Sequence, residues 1–201
     1  MSELAAPTAS QAAPHPINIV VTDDLRRSRL TVFFRLLLAI PQLIWISLWG
    51  IVAYIVYFIA WWVALFIGRV PDGMHNFLAA YLVYYTRVNA YVLLLANPWP
   101  PFTSSGSYPI DATIAPAARQ SRLTVFFRWL LAIPAFLLSY VFSLVNSIVA
   151  FLAWFYCLFT GRMHEGMRNI SVWLFRYELQ TFAYGFLVTG RYPSLSDAPT
   201  V

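Results

Sequence analysis

"SRLTVFFRLLLAIP" occupies residues 28–41, and "SRLTVFFRWLLAIP" occupies residues 121–134. Thirteen of the fourteen residues are the same, at a spacing of 93. The correspondence runs outward without a gap. Residues 16–101 align with 109–194 at 34 identities in 86 positions, among them Trp61/Trp154, Gly68/Gly161, Arg69/Arg162 and Tyr91/Tyr184. An offset that stays constant through loops as well as helices means one structural unit written twice.

The solvent of that unit is legible in the composition. The chain is 60% hydrophobic and 10% charged, with a mean hydropathy of +0.66, whereas soluble domains carry about 25% charged residues. Between residues 41 and 67 the only titratable groups are Tyr54 and Tyr57; between 134 and 160 they are Tyr140, Tyr156 and Cys157. Both runs exceed the roughly 20 apolar residues a membrane helix needs, so an integral membrane protein is expected. The first sixteen residues lack the basic and apolar regions of a secretory signal, and no cleaved leader is expected. A single cysteine excludes an intramolecular disulfide and a multi-cysteine metal site. All thirteen cationic side chains are arginine, which removes lysine Schiff-base chemistry and the phosphate-binding loop. The net charge of +5 mostly flanks the apolar runs and suits anionic lipid headgroups better than nucleic acid.

Each unit reads in four parts: all-α and membrane-integral, apart from one short strand. Repeat 1 covers 16–101 and repeat 2 covers 109–194, joined by a linker at 102–108 and flanked by tails at 1–15 and 195–201 that read as disordered. Each repeat opens on an alternating stretch, "PINIVVT" or "PIDATIA", expected to be a cytoplasmic strand pairing with its counterpart. The quoted phrase follows as an interfacial amphipathic helix, its polar stripe formed by Ser28, Thr31 and Arg35 or by Ser121, Thr124 and Arg128. On this reading Arg26, Arg27, Arg29, Arg35, Arg119, Arg122 and Arg128 reach lipid phosphates. The alternative is the start of one long tilted span; Pro41 and Pro134 favour an elbow instead. Spans are then expected at about 41–67, 74–96, 134–160 and 167–189, four in all.

Orientation follows from arginine. With two crossings per unit, Arg26, Arg27, Arg29, Arg35, Arg119, Arg122, Arg128 and Arg191 share one side, and Arg69, Arg162 and Arg168 occupy the other. The positive-inside rule then puts both termini in the cytoplasm. The expected arrangement is two parallel hairpins about an axis normal to the membrane.

The stretch "HPINIVVTDDLRRSRLTVFFRLLLAIP", followed by a span, "GRVPDGMH" and "NPWPPF", resembles the bacterial family named domain of unknown function 4389. The resemblance covers nearly the whole chain. It implies a multi-span bacterial membrane protein and carries over no functional residues; the location expected for the chain is the bacterial plasma membrane.

Candidate chemistry is sparse. Arg87, Asn89, Arg176, Glu178 and Gln180 form a polar cluster within the return segments, and intramembrane charge is the best functional pointer available. Arg87 and Glu178 read either as a structural ion pair between hairpins, which is preferred, or as a proton or ion relay. Ala60, Ala64 and Gly68, with Ala153, Cys157 and Gly161, form a four-spaced ridge for close helix approach. Ser139, Ser143 and Ser147 form a second row, suited to interhelical hydrogen bonds. His15, His75 and His164 fall in separate loops, so no metal site and no cofactor is expected, and no nucleophile–base set can be assembled for an enzyme. Two functions remain. One is a non-catalytic membrane scaffold or accessory subunit, binding anionic lipids, a membrane-protein complex or a second copy of itself. The other is a small transporter or channel using Arg87 and Glu178.

Overall fold

Two antiparallel strands join the units at their centre in the computed structural model, which describes residues 15–196. β1 (Ile17–Val21) pairs with β2 (Ile110–Ile114), with Ile17 opposite Ile114 and Ile19 opposite Ala112. Ile17, Ile19 and Val21 are buried and their neighbours are not, as the alternation requires. Of the expected tails only His15, Leu195 and Ser196 lie within the described residues. His15 is buried and its Nδ1 accepts the Ile17 amide at 3.1 Å.

The repeated phrase does not fold as one helix ending at proline. It forms α1 (Arg29–Phe33), breaks at Phe34, and enters α2, which runs from Arg35 to Ile67 through Pro41. The second unit repeats this with α4 (Arg122–Phe126), a break at Phe127, and α5 (Arg128–Thr160) through Pro134. The expected elbow is thus seven residues early. The reason is Arg35, which must turn inward at the start of α2, whereas the missing N–H of Pro41 costs only one helical bond within a long, well-formed helix. α2 and α5 end on Gly68 and Gly161, at φ of 79° and 72°, a left-handed cap that favours glycine. The return helices are α3 (Asp72–Val92) and α6 (Glu165–Gly185). Among the described residues, α2 and α5 are the two helices long and apolar enough to cross a membrane.

The units are related by a two-fold pseudo-symmetry and exchange their N-terminal segments. Position 19 pairs with 112, and Tyr85 meets Glu178; each pair is one repeat position facing its own copy. α3 and α6 run antiparallel, since His75 near the start of α3 bonds Val188 O beyond the end of α6 at 3.1 Å. α3 packs on β2 and α6 on β1, while α1 packs on α5 and α4 on α2. Trp61 Nε1 donates to Val125 O at 3.0 Å, and Trp154 Nε1 donates to Val32 O at 2.9 Å. α2 packs along α3 and α5 along α6, while α2 and α5 meet through side chains such as Tyr57 and Trp129, whose ring centres are 5.8 Å apart. The order is therefore sheet, then the α3–α6 pair, then α2 and α5.

This overturns the expected parallel hairpins. Arg26 forms a backbone bridge with Arg162, and Arg69 with Arg119. Residues a few ångströms apart cannot lie on opposite sides of about 30 Å of hydrocarbon, so the division of arginines into two sides fails. Sequence periodicity carries no signal for segment exchange.

Candidate functional site

The polar cluster does not assemble as expected. Arg87 pairs with Asp111, not with Glu178: Nη2 lies 2.7 Å from Oδ2 and Nε donates to Oδ1 at 3.1 Å. The same guanidinium donates to the carbonyls of Thr103, Ser105 and Gly106 at 3.2, 2.8 and 2.6 Å. It pins the linker to the sheet. Residues 85 and 87 point 200° apart on a helix, so the face of α3 that meets α6 carries Tyr85. Its hydroxyl donates to Glu178 Oε1 at 2.6 Å.

Gln180 occupies the repeat position of Arg87 and does its work without charge. Its Nε2 donates to Ile17 O at 3.1 Å and its Oε1 accepts Ser194 N at 2.9 Å. Arg176 is buried and donates to Ser194 O at 3.4 Å. Asn89 donates to Tyr85 O within its own helix at 2.9 Å. The linker is closed from beneath by Tyr108, whose hydroxyl donates to Pro98 O at 2.7 Å; burial pushes its pKa well above the usual phenol range.

Three of the seven arginines expected at lipid phosphates are interior. Arg35 and Arg128 are each 1% exposed. Arg35 Nη1 donates to Tyr91 O at 2.7 Å and Ala96 O at 3.1 Å, and its guanidinium lies 4.3 Å from the centre of the Tyr91 ring. Arg128 makes the equivalent bonds to Tyr184 O and Thr189 O, over the Tyr184 ring, and also donates to Gln120. Each guanidinium caps the carbonyl end of its return helix, where cations are favoured. Arg27 is buried too, held by Asp23 at 2.7 Å and donating to Leu94 O and Leu95 O at 2.8 Å each. An arginine used as a helix cap and one that reaches lipid look identical in a helical wheel. Arg26, Arg29, Arg119 and Arg122 are exposed.

The ridge is buried at Ala60, Ala64, Ala153 and Cys157. It admits the exchanged segments rather than a neighbouring span: a Cβ on Gly68 would lie 3.6 Å from Arg122 Nε, and one on Gly161 would lie 3.5 Å from Arg29 Nε. Cys157 Sγ contacts Met163 Sδ at 3.8 Å. Of the serine row, Ser139 bonds Thr181 across helices at 2.8 Å, whereas Ser147 bonds back to Ser143 O.

Opposite the sheet, α2 and α5 present nearly continuous apolar faces, with Leu37, Ile44, Ile51, Phe58 and Phe66 exposed on α2 and Leu130, Leu137, Leu144, Phe151 and Phe159 on α5. Each helix buries one narrow stripe, in α2 running Arg35, Ala39, Gln42, Ile46, Gly50, Ala53, Tyr57, Ala60 and Ala64. Where α2 begins, an apolar cavity of about 410 Å³ opens between Arg35, Leu36, Leu93, Ala150 and Trp154. Its repeat counterpart, beside Arg128, holds about 70 Å³. Trp129, Tyr57 and Phe186 fill it, standing where the first site has Leu36, Ala150 and Leu93. The sequence contained that difference, but only the exchange shows that these three positions meet.

A duplicated, segment-exchanged helical body with two membrane-competent helices is the class this geometry defines. The chain belongs to the family described as Domain of unknown function (DUF4389), whose model matches it twice, over residues 29–104 and 122–196. Comparison with curated proteins and with solved structures gives no match.

Proposed function

We propose that this protein is a non-catalytic component of the bacterial plasma membrane, a scaffold or accessory subunit that holds anionic lipid through α2 and α5. The observation that carries this reading is the pair of exposed apolar faces, each along a helix of 33 residues. Patches beyond a few hundred Å² mark membrane or protein partners, and these run the length of both helices. The interior charges support a structural role. Arg27, Arg35, Arg87 and Arg128 are all used to tie segments together. The exposed arginines at the helix ends suit phosphate-bearing headgroups.

The test is retention in the membrane fraction through high salt and alkaline washing, with flotation on phosphatidylglycerol vesicles after purification. Ile44, Ile51 and Phe58 changed together to Asp should abolish flotation while the sheet-side contacts remain. A protein that stays in the supernatant would sink the reading.

A transporter is the second reading, and Glu178 is the observation that favours it. Its carboxylate borders a cavity of about 250 Å³ lined also by Ser139, Ser143 and Phe182. If that site moves ions or protons, Glu178→Gln abolishes flux in proteoliposomes without loss of fold.

A further inference from the structure

The way the two units are tied fixes how α2 and α5 lie relative to the symmetry axis. Positions 19 and 112 pair on that axis, as do 85 and 178, so it passes through the sheet and through the α3–α6 contact. Symmetry places the start of α2 and the start of α5 at one height along it. The end of α2 is fastened to the segment that leads into α5: Gln120 N donates to Gly68 O at 3.0 Å, and Trp61 donates to Val125 O at 3.0 Å. The end of α5 is fastened in the same way to the segment that leads into α2, by Arg27 N to Gly161 O at 2.9 Å and Met163 N to Leu25 O at 2.8 Å. Both ends of each helix therefore stand at nearly equal height. A helix of 33 residues is about 50 Å long, so α2 and α5 lie across the axis, not along it.

Two membrane orientations are compatible with that. If the axis lay in the membrane plane, α2 and α5 would cross as an antiparallel pair, and the sheet would sit at mid-depth. Thr103, Ser105, Gly106, Ser107 and Thr113 are exposed there, beside a two-stranded sheet and an irregular linker. Lipid-exposed loops and open sheet edges do not occur within hydrocarbon. If the axis is the membrane normal, the sheet, linker and arginine-bearing ends all meet water, and the apolar faces alone meet acyl chains.

We propose, resting on the membrane reading above, that α2 and α5 lie in the plane of one leaflet of an anionic bilayer, with the sheet and both helix ends of each unit facing the same aqueous side. The protein enters one leaflet without crossing. Arg26, Arg29, Arg119 and Arg122 then stand at headgroup level at the two ends of the molecule, and Trp99 and Phe102, both exposed, stand beside the linker at the same level.

Sidedness tests this directly. Single cysteines at Asp72, Glu165 and Ser105, each exposed, are placed in a Cys157→Ala background and treated with an impermeant thiol reagent in intact and permeabilised cells. The same answer at all three positions, with the protein retained in membranes, is expected. Opposite answers at Asp72 and Glu165 would mean an inverted spanning pair, and Ser105 differing from both would mean two spanning hairpins; either overturns the proposal. Nitroxides at Leu37, Ile51 and Phe66 in vesicles of phosphatidylglycerol and phosphatidylethanolamine give a second reading. Equal depths support the in-plane helix, and a deep centre between shallow ends overturns it. Recovery in the soluble fraction would remove the membrane reading itself, and this inference with it.

Discussion

Tyr85 donates its phenolic proton to Glu178 across 2.6 Å, and the two residues are the same position of the repeat. They meet because the pseudo-two-fold axis passes between them, as it passes between Ile19 and Ala112 in the sheet. Identical residues on such an axis would oppose like with like; two carboxylates would repel and two phenols would leave an acceptor position unused. Divergence of the two copies at this one position turns self-contact into a donor–acceptor pair.

Removing the donor should therefore cost more than removing the charge. Tyr85→Phe leaves the carboxylate without its phenolic donor in a largely buried site, a loss of about 1–3 kcal/mol. Glu178→Gln keeps an acceptor oxygen for the Tyr85 hydroxyl and should lower the melting temperature less. Thermal unfolding in mild detergent compares them, and a larger loss for Glu178→Gln would contradict this assignment.

The partner of Arg87 is settled by a double-mutant cycle. Breaking a buried ion pair from one side costs about 3–5 kcal/mol, and removing both charges recovers much of it. Arg87→Met should be strongly destabilising, and Asp111→Leu should rescue it in part. Arg87→Met with Glu178→Leu should be additive. Coupling to Glu178 instead of Asp111 would refute the geometry.

Arg35 should act as a cap that lysine cannot replace. A planar guanidinium reaches the carbonyls of Tyr91 and Ala96 while lying over the Tyr91 ring, whereas an ammonium has no such fork. Arg35→Lys is expected to lose about 1.5–3 kcal/mol and to speed amide exchange at residues 93–96. Unchanged exchange there would show that the carbonyls do not depend on it.

Gly68 and Gly73 should respond oppositely to alanine. Gly68 sits at φ of 79°, where a Cβ costs roughly 1–2 kcal/mol. Gly73 lies inside α3 with nothing within 4 Å of an added Cβ, so alanine there gains helix propensity, up to about 1 kcal/mol. Chemical denaturation in detergent reads both signs.

The unequal cavities give a test of lipid holding. Leu36→Trp with Ala150→Tyr copies into the first site two of the side chains that fill the second. The fold should be kept and co-purifying lipid reduced, measured by mass spectrometry of the extracted protein. Undiminished lipid would place it on the open faces of α2 and α5 instead.

The sequence by itself determined the duplication, the strands that pair, the glycines that end α2 and α5, and the apolar character of those two helices. Each rests on local chemistry: a constant offset, period-two alternation, a left-handed cap and composition. It also singled out Arg87 and Glu178 as interior charges. Only the tertiary structure decided their partners, because Asp111 is 24 residues from Arg87 and Tyr85 is 93 residues from Glu178. The same holds for Arg35 and Arg128, whose place in a polar helical stripe reads as a route to lipid phosphate. Their targets are the ends of helices that begin more than thirty residues later. The largest difference, antiparallel units in place of parallel hairpins, arose from segment exchange. A repeat packing within itself and one packing on its copy present the same hydrophobic pattern, and backbone hydrogen bonds such as Gln120 to Gly68 choose between them.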